Sequence, residues 1–452
     1  MRALLSRPAH SQSATQPALP NARVRWALCA FVASIPFEIP HRAIPVEITT
    51  LVGCVFLLVT LFDRRCAYGR IPAPLIWFTL YLWVFAVAAL VNRATHQLEV
   101  LRLFLEMVLL LLLFWTAANL MSDEATRRRA LRAFAIACGL RAVLQLLGIA
   151  TTAREVWTGG ARVTTLGQNA NLSALILSAG LLTALELGGT GNGNRRWPAA
   201  VRWPLVVLIA VAIVQTGSRG GLLALSVGLL TFLAGAPTPW ARLRNAMAAV
   251  ALMAFLGVAA YRSEVMRNRL EESATTGNFA QRERIYPALL VMFRERPVLG
   301  WGPIENQFEL ERRLREPGRE RRDAHNLVLE LLTTTGVFGI IPFLAGLLLC
   351  VRSAWRARRT ARGVLPLAML ASMLVGVMSG TWIASKILWF TLAHAYAARP
   401  APAPGTTETT APPPASPLVV VGLLLLLTLS SRGVDATPAS GVSKPITGAT
   451  VS

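Results

Sequence analysis

The sequence is short of acid, cysteine, histidine and tyrosine, and each shortage excludes something. Asp and Glu number 23 against 45 Lys and Arg in 452 residues, and charged residues make up 15% of the chain while 54% of it is hydrophobic. An ordinary soluble domain is about a quarter charged, so a bilayer suits this chain better than water. Cys29, Cys54, Cys66, Cys138 and Cys350 stand singly in or beside apolar runs. The lack of any CxxC pair argues against a thiolate zinc site or a disulfide framework and predicts free thiols. His10, His41, His96, His325 and His394 are equally dispersed, so no metal centre is expected. The formal net charge of +22 lies in short Arg clusters between apolar stretches. Such a pattern belongs to membrane proteins and gives no support to nucleic-acid binding.

What the chain does have is a series of apolar segments long enough to cross a membrane, about 17–25 residues each. The template fits near 24–40, 43–61, 71–91, 100–121, 130–150, 169–187, 203–217, 219–236, 244–261, 334–351, 363–381 and 384–398. The expected fold class is all-α, a polytopic integral membrane protein with about twelve transmembrane helices. The first run follows a basic tail but has no clear small-x-small cleavage site, so it reads as an uncleaved helix. Arg clusters fall in alternate loops: Arg64, Arg65 and Arg70; Arg127, Arg128, Arg129 and Arg132; Arg195, Arg196 and Arg202; Arg242 and Arg244; and Arg352, Arg356, Arg358, Arg359 and Arg362. These loops and the N-terminus are expected in the cytoplasm, with the intervening loops outside.

One outward loop stands apart. Residues 261–325 carry nearly half of the acidic residues, mixed with many Arg, and a loop this long in a compact protein is usually functional. Ile285–Phe293 has the pattern of an amphipathic helix able to lie on a membrane surface, 297–303 reads as a Gly-rich turn, and Ile304–Leu314 as a second helix. Residues 1–398 are thus expected to form one membrane domain with 261–325 as its water-facing subdomain. The Pro/Ala/Thr-rich residues 399–452 read as a low-complexity tail, with 418–432 as an optional further hydrophobic segment.

The loop alternation brings four polar elements to the outer face. RVTTLGQNAN, Arg162–Asn171, enters the sixth span, where its Gly and Asn suit a helix N-terminus that either holds an anion or is simply capped. TGSRGG, Thr216–Gly221, lets the chain reverse and sets Arg219 at a helix start. A cation there calls for an anion, snorkelling to the interface being the alternative. Arg282 precedes Tyr286 and an apolar helix leading to Gly300, Trp301 and Gly302, with Arg284, Arg294 and Arg296 as equally basic neighbours. Ala324–Asn326, reading AHN, opens a helix that carries Gly336 and Gly339. A lone His is usually structural, so His325 gains meaning only in this company. Arg141 sits near the middle of the fifth span, where a charge costs about 2.5–3.5 kcal/mol, and must face a cavity or a partner. Arg102 and Glu106, four apart, read as an intramembrane pair.

Together these motifs resemble the O-antigen ligase and polymerase superfamily of bacterial membrane glycosyltransferases. The likeness runs from about the fifth span to Trp389 and is most specific at TGSRGG, at Arg282 through Tyr286 to Gly302, at HN followed by TTTGVFG, and at KILWF, Lys386–Phe390. The chain departs from the family pattern at Ala170–Asn171, where Pro-Asn is frequent, at Tyr286, where Trp is common, and at Thr334, where an acid is usual. The resemblance implies a GT-C-like architecture and a donor glycan on undecaprenyl diphosphate in the inner membrane. The glycan would pass to an acceptor hydroxyl on lipid A core, another glycan or a protein at the periplasmic face, in assembly of lipopolysaccharide or exopolysaccharide. On that footing Arg219 and Arg282 are the candidates to bind the diphosphate, with Arg162 assisting. His325 is the candidate general base or acceptor-orienting group, with Asn326 orienting it, since an imidazole near pKa ~6.5 takes a hydroxyl proton at neutral pH. Asn171, Ser218 and Arg141 complete the substrate-binding candidates. No cofactor or metal is expected, because guanidinium groups can neutralise a diphosphate leaving group. The rival reading is a transporter or flippase of lipid-linked sugars, which would place polar residues at mid-membrane depth in paired broken helices.

Overall fold

In the computed structural model, residues 20–38, 47–155, 161–187, 197–234, 239–276, 281–315, 320–360 and 362–399 are described. The expected hydrophobic segment at 418–432, with His10 and His41, lies outside them. The helices are α1 (Ala22–Ser34), α2 (Ile48–Thr60), α3 (Arg64–Tyr68), α4 (Ala73–Val91), α5 (Gln97–Leu120) and α6 (Glu124–Leu146). After a hairpin of β1 (Thr151–Glu155) and β2 (Ala161–Thr165) come α7 (Ala170–Glu186), α8 (Ala199–Gln215), α9 (Arg219–Ala234), α10 (Pro239–Arg262) and α11 (Glu264–Thr276). The series closes with α12 (Arg282–Glu295), α13 (Glu305–Leu314), α14 (Leu327–Ala357), α15 (Leu365–Gly376) and α16 (Lys386–Ala397).

Local chemistry sets these limits. Asn21 caps α1 by accepting from the Arg23 amide, Asp123 caps α6 through the Thr126 amide, and Pro74 and Pro366 occupy the first turns of α4 and α15, where a missing N–H is harmless. The helices then pack as one bundle, with α4 along α14, α15 along α9, α7 against α8 and α16 against α5. An aromatic knot joins four of them: Phe78 lies 5.6 Å from Phe114, 5.5 Å from Phe343 and 5.1 Å from Trp389. Gly346 leaves room for it, because a Cβ there would sit 2.7 Å from the Phe78 ring.

Each of the twelve segments expected to span is occupied by a helix, and α4, α5 and α14 are long and apolar enough to cross a membrane. Five further apolar helices, in α7, α8, α9, α10 and α15, fall short of that length. The all-α expectation needs one correction. Residues 151–165 form an antiparallel hairpin, with Thr151 paired to Thr165 and Arg154 to Arg162. Its strands hold four Thr and one Val, residues that suit extended backbone, and left-handed Ala150 and Leu166 close its open end through a 2.7 Å backbone bond. At one end of the bundle, Arg362 donates to the carbonyls of Ser122 and Ala397, both at 2.5 Å, bringing the α5–α6 turn, the α14–α15 connection and the end of α16 together. The polar elements of interest lie at the other end.

There α12 and α13 pack together. Ile285, Leu289 and Met292 of α12 pack on Leu310, Leu314 and Ala324, leaving Leu290 and Val291 exposed. Trp301 donates to the Met292 carbonyl at 2.9 Å and lies under Arg296, 4.0 Å from the ring centre. A break in α14 seats this helix pair. Gly336 (φ 62°, ψ −160°) interrupts the helix, and 297–302 runs alongside it: Trp301 and Gly302 donate to the carbonyls of Thr333 and Thr334 (2.7 and 3.0 Å), and Val337 donates to Pro297 (2.8 Å). This exchange satisfies backbone groups that a broken helix would otherwise leave bare. A second seat is Glu305, whose Oε1 accepts from the Thr95 amide and hydroxyl, both at 2.7 Å, beside His96 Nδ1 at 3.1 Å. The His96 ring stacks on Phe308 at 4.0 Å.

Two outcomes follow from these seats. A Cβ at Gly336 would lie 2.3 Å from the Val298 oxygen, and that backbone region costs a non-glycine residue about 1–3 kcal/mol. Gly336→Ala is therefore expected to lower the melting temperature measurably, whereas Gly257→Ala, which meets only open space, should not. Burial raises the Glu305 carboxyl, but hydrogen bonds from Thr95 and His96 outweigh it and hold the pKa below the usual range. A depressed carboxylate contributes stability above its unfolded pKa of about 4.3, and loses it as pH falls through the lower folded value. Hydrogen exchange of α13 should accelerate, after correction for intrinsic rates, once pH drops below about 4. In Glu305→Gln that acid step should be missing.

Candidate diphosphate-binding site

The site is organised around a stretch of chain that is not helical. Helices α15 and α16 have 12 residues each, about 18 Å at 1.5 Å per residue, whereas a hydrocarbon core is about 30 Å thick. Between them, Val377–Ser379 forms a 3-10 turn and Gly380 is extended, leaving carbonyls without helical partners. Side chains from three remote segments fill the role. Ser379 O accepts from Arg282 Nη2 at 3.3 Å and from Asn171 Nδ2 at 3.5 Å, and Met378 O accepts from the Tyr286 hydroxyl at 3.2 Å. The same hydroxyl is 3.5 Å from the His325 carbonyl.

A second knot adjoins the first through Asn171. Its Oδ1 accepts from Arg162 Nη2 at 3.1 Å and from the Ser218 hydroxyl at 2.8 Å, while Arg162 Nε donates to the Thr216 carbonyl at 2.9 Å. Gly217 (φ 61°) makes the reversal before α9. Ser218 then caps that helix by accepting from the Gly221 amide at 3.0 Å, which displays Arg219 at its first position. The two glycines after Arg219 permit close packing: a Cβ at Gly221 would lie 2.3 Å from the Ala174 Cβ, and one at Gly220 3.1 Å from the Ser379 Cβ. Gly220, next to Arg219, and the Arg282 side chain therefore meet the same residue, Ser379.

Asn326 Oδ1 caps α14 through the amides of Val328 and Leu329 (3.0 and 3.2 Å), so that oxygen is committed to the helix. His325 just before it is left-handed (φ 51°) and half-buried. Of the expected site residues, Arg162, Asn171, Ser218 and Arg282 share one hydrogen-bonded cluster, with Arg219, His325 and Asn326 on its border. Arg141 is placed apart. It is 1% exposed and donates to the Ser173 hydroxyl, between α6 and α7.

The electrostatics favour an anion. The N-termini of α7, α9 and α14 meet here, each carrying a partial positive charge and amides that point outward, together with the guanidinium groups of Arg162, Arg219 and Arg282. Among the described residues no group of three His, Cys, Asp or Glu side chains could hold a metal. One turn along α9 from Arg219 opens a cavity of about 480 Å³ between α9, α10 and α11. Its walls are mostly apolar, including Leu222, Met253, Leu256 and Leu270, with Arg267 and Glu271 of α11 also lining it. The border of the cluster thus carries cations next to a largely apolar recess.

Residues 204–344 match the family model described as O-antigen ligase. Over this segment the chain is similar to O-antigen ligases, which supports the O-antigen ligase and polymerase superfamily. The ligase segment runs from α8 into α14 and contains Ser218, Arg219, Arg282, His325 and Asn326, whereas Arg162, Asn171 and Ser379 lie outside it. The match, together with the apolar helices α4, α5 and α14, supports a membrane protein with ligase- or polymerase-like glycan transfer. No curated protein matches the chain.

Sequence reasoning missed two features of this end of the bundle. The carbonyls of Met378 and Ser379 carry no side-chain signal. The only hint was the Gly380 that follows. The other is an ion cluster: Lys386 Nζ lies 3.2 Å from Glu38, 2.5 Å from Glu47 and 3.4 Å from Glu106. The partner of Glu106 is thus Lys386, and not the expected Arg102.

Proposed function

We propose that the chain transfers or polymerises a glycan carried on undecaprenyl diphosphate, moving it to an acceptor hydroxyl at the periplasmic face of the bacterial inner membrane. The observation that carries this reading is the cluster in which Asn171 and Ser379 join Arg162 to Arg282, with Arg219 at the adjoining start of α9, beside a largely apolar recess. That combination suits a lipid-linked diphosphate, whose head is anionic and whose tail is hydrocarbon.

The acceptor oxygen attacks the anomeric carbon, the bond from that carbon to the phosphate oxygen breaks, and the lipid diphosphate leaves with the electron pair. Charge then grows on the leaving group. Arg219 and Arg282, fixed and partly dehydrated, stabilise that charge more than they stabilise the ground state, with Arg162 held beside them by Asn171 and Thr216. His325 takes the hydroxyl proton or orients the acceptor. The chemistry needs no cofactor and no metal, since guanidinium groups carry the neutralising charge. Periplasmic placement is supported by the Arg-rich turns at the opposite end of the bundle, since such turns favour the cytoplasm.

Purified protein in liposomes, with donor and acceptor on the same side, tests the reading. Transfer should proceed in chelator. Arg219→Ala, Arg282→Ala and His325→Ala should each lower it by about 100-fold or more, the scale of losing one transition-state donor or general base. Full activity in all three variants would overturn the assignment of residues. Movement of intact donor across the bilayer without transfer would favour the transporter.

A further inference from the structure

We propose that Lys386 is a positioning residue for the transfer site, acting through the chain segment that carries the Ser379 carbonyl; this rests on the transfer reading above.

Lys386 is the first residue of α16 and is 2% exposed. Its ammonium is shared by three carboxylates from separate elements: Glu38 after α1, Glu47 at the N-cap of α2, and Glu106 within α5. Its amide also points at Glu38 Oε1, at 3.4 Å, and the Thr50 hydroxyl supports Glu47 at 2.9 Å. Buried ions are poor sources of stability, because desolvation offsets most of their attraction and well-packed apolar residues often do better. What such a cluster supplies is place: one ammonium can satisfy three carboxylates only where the three elements meet it.

The place so defined is tied to the site along two routes. The first is covalent, since six residues separate Lys386 from Ser379. The second passes through Glu38, whose backbone carbonyl accepts from Gln168 Nε2 at 2.7 Å, three residues ahead of Asn171. The two routes close on each other where Asn171 Nδ2 meets Ser379 O at 3.5 Å. Lys386, Glu38, Gln168, Asn171 and Ser379 thus form a ring of contacts, and Arg282 is hydrogen-bonded to its last member. If the ammonium is removed, the carboxylates must separate or take up protons, and the non-helical segment loses its fixed end. The Ser379 carbonyl then moves, and Arg282 with it. Ångström-scale misplacement of a group that acts in the transition state can lower a rate about 100-fold.

The test uses the full-length chain in lipid nanodiscs. Lys386→Met removes the charge at similar length, Lys386→Arg keeps it, and Gln168→Leu cuts the second route without touching a buried ion, so one variant folds even if the first does not. Spin labels at Thr381→Cys and Leu290→Cys, in a background without the native cysteines, report the distance from the non-helical segment to α12. For Lys386→Met that distance should shift or broaden. Its turnover per folded molecule should fall about 10- to 100-fold, with the KM for lipid-linked donor changing less than about threefold. Gln168→Leu should move both readouts in the same direction by less, and Lys386→Arg should restore them in large part. A lower melting temperature with wild-type turnover per folded molecule, or an unchanged distance in both Lys386→Met and Gln168→Leu, would overturn the proposal. If the unmodified protein transfers no glycan, the transfer reading fails, while the distance comparison still decides whether Lys386 sets the segment.

Discussion

Backbone that leaves the helix inside a packed bundle must find hydrogen-bond partners within the protein, because a buried amide or carbonyl is costly to leave unpaired. The chain meets this demand twice. At the break in α14, the stretch 297–302 lends its amides and carbonyls to the interrupted helix. Between α15 and α16, side chains do the same for Met378 and Ser379, and those side chains are Arg282, Asn171 and Tyr286. Satisfying the break and assembling the cationic cluster are therefore one structural event.

This coupling bears on how a cationic site survives beside a bilayer. Arginines gathered around one point repel one another, so each needs local neutral acceptors to hold it before an anion arrives. Arg162 has the Thr216 carbonyl and the Asn171 amide oxygen, and Arg282 has the Ser379 carbonyl. Neutral partners of this kind orient a guanidinium without cancelling its field. A carboxylate in the same position would cancel that field. Three carboxylates, Glu38, Glu47 and Glu106, are gathered on Lys386.

Most of the helices were legible in the sequence, because a long apolar run bounded by Arg clusters fits a spanning helix and little else. The second helix of the loop was also legible, from the spacing that places Leu310 and Leu314 on one face. The hairpin at 151–165 was not, since its strands are short, carry Arg and Glu, and follow a span that could have continued. The roles of Asn171 and Ser379 were hidden for another reason. Asn at a helix start reads as a cap, and here Asn169 caps α7, freeing Asn171 to bridge Arg162, Ser218 and Ser379. Lys386 was visible as part of KILWF, but its three acidic partners lie about 280 to 350 residues earlier in sequence, and no local pattern joins them.

The central claim is that Arg162, Arg219 and Arg282 face one diphosphate. Modification by phenylglyoxal, read by mass spectrometry with and without a short isoprenyl diphosphate, addresses it directly. The account predicts that all three arginines are protected together, at the same ligand concentration, while Arg284 and Arg294 on the same loop stay reactive. Protection of one without the others, or of none, would contradict it.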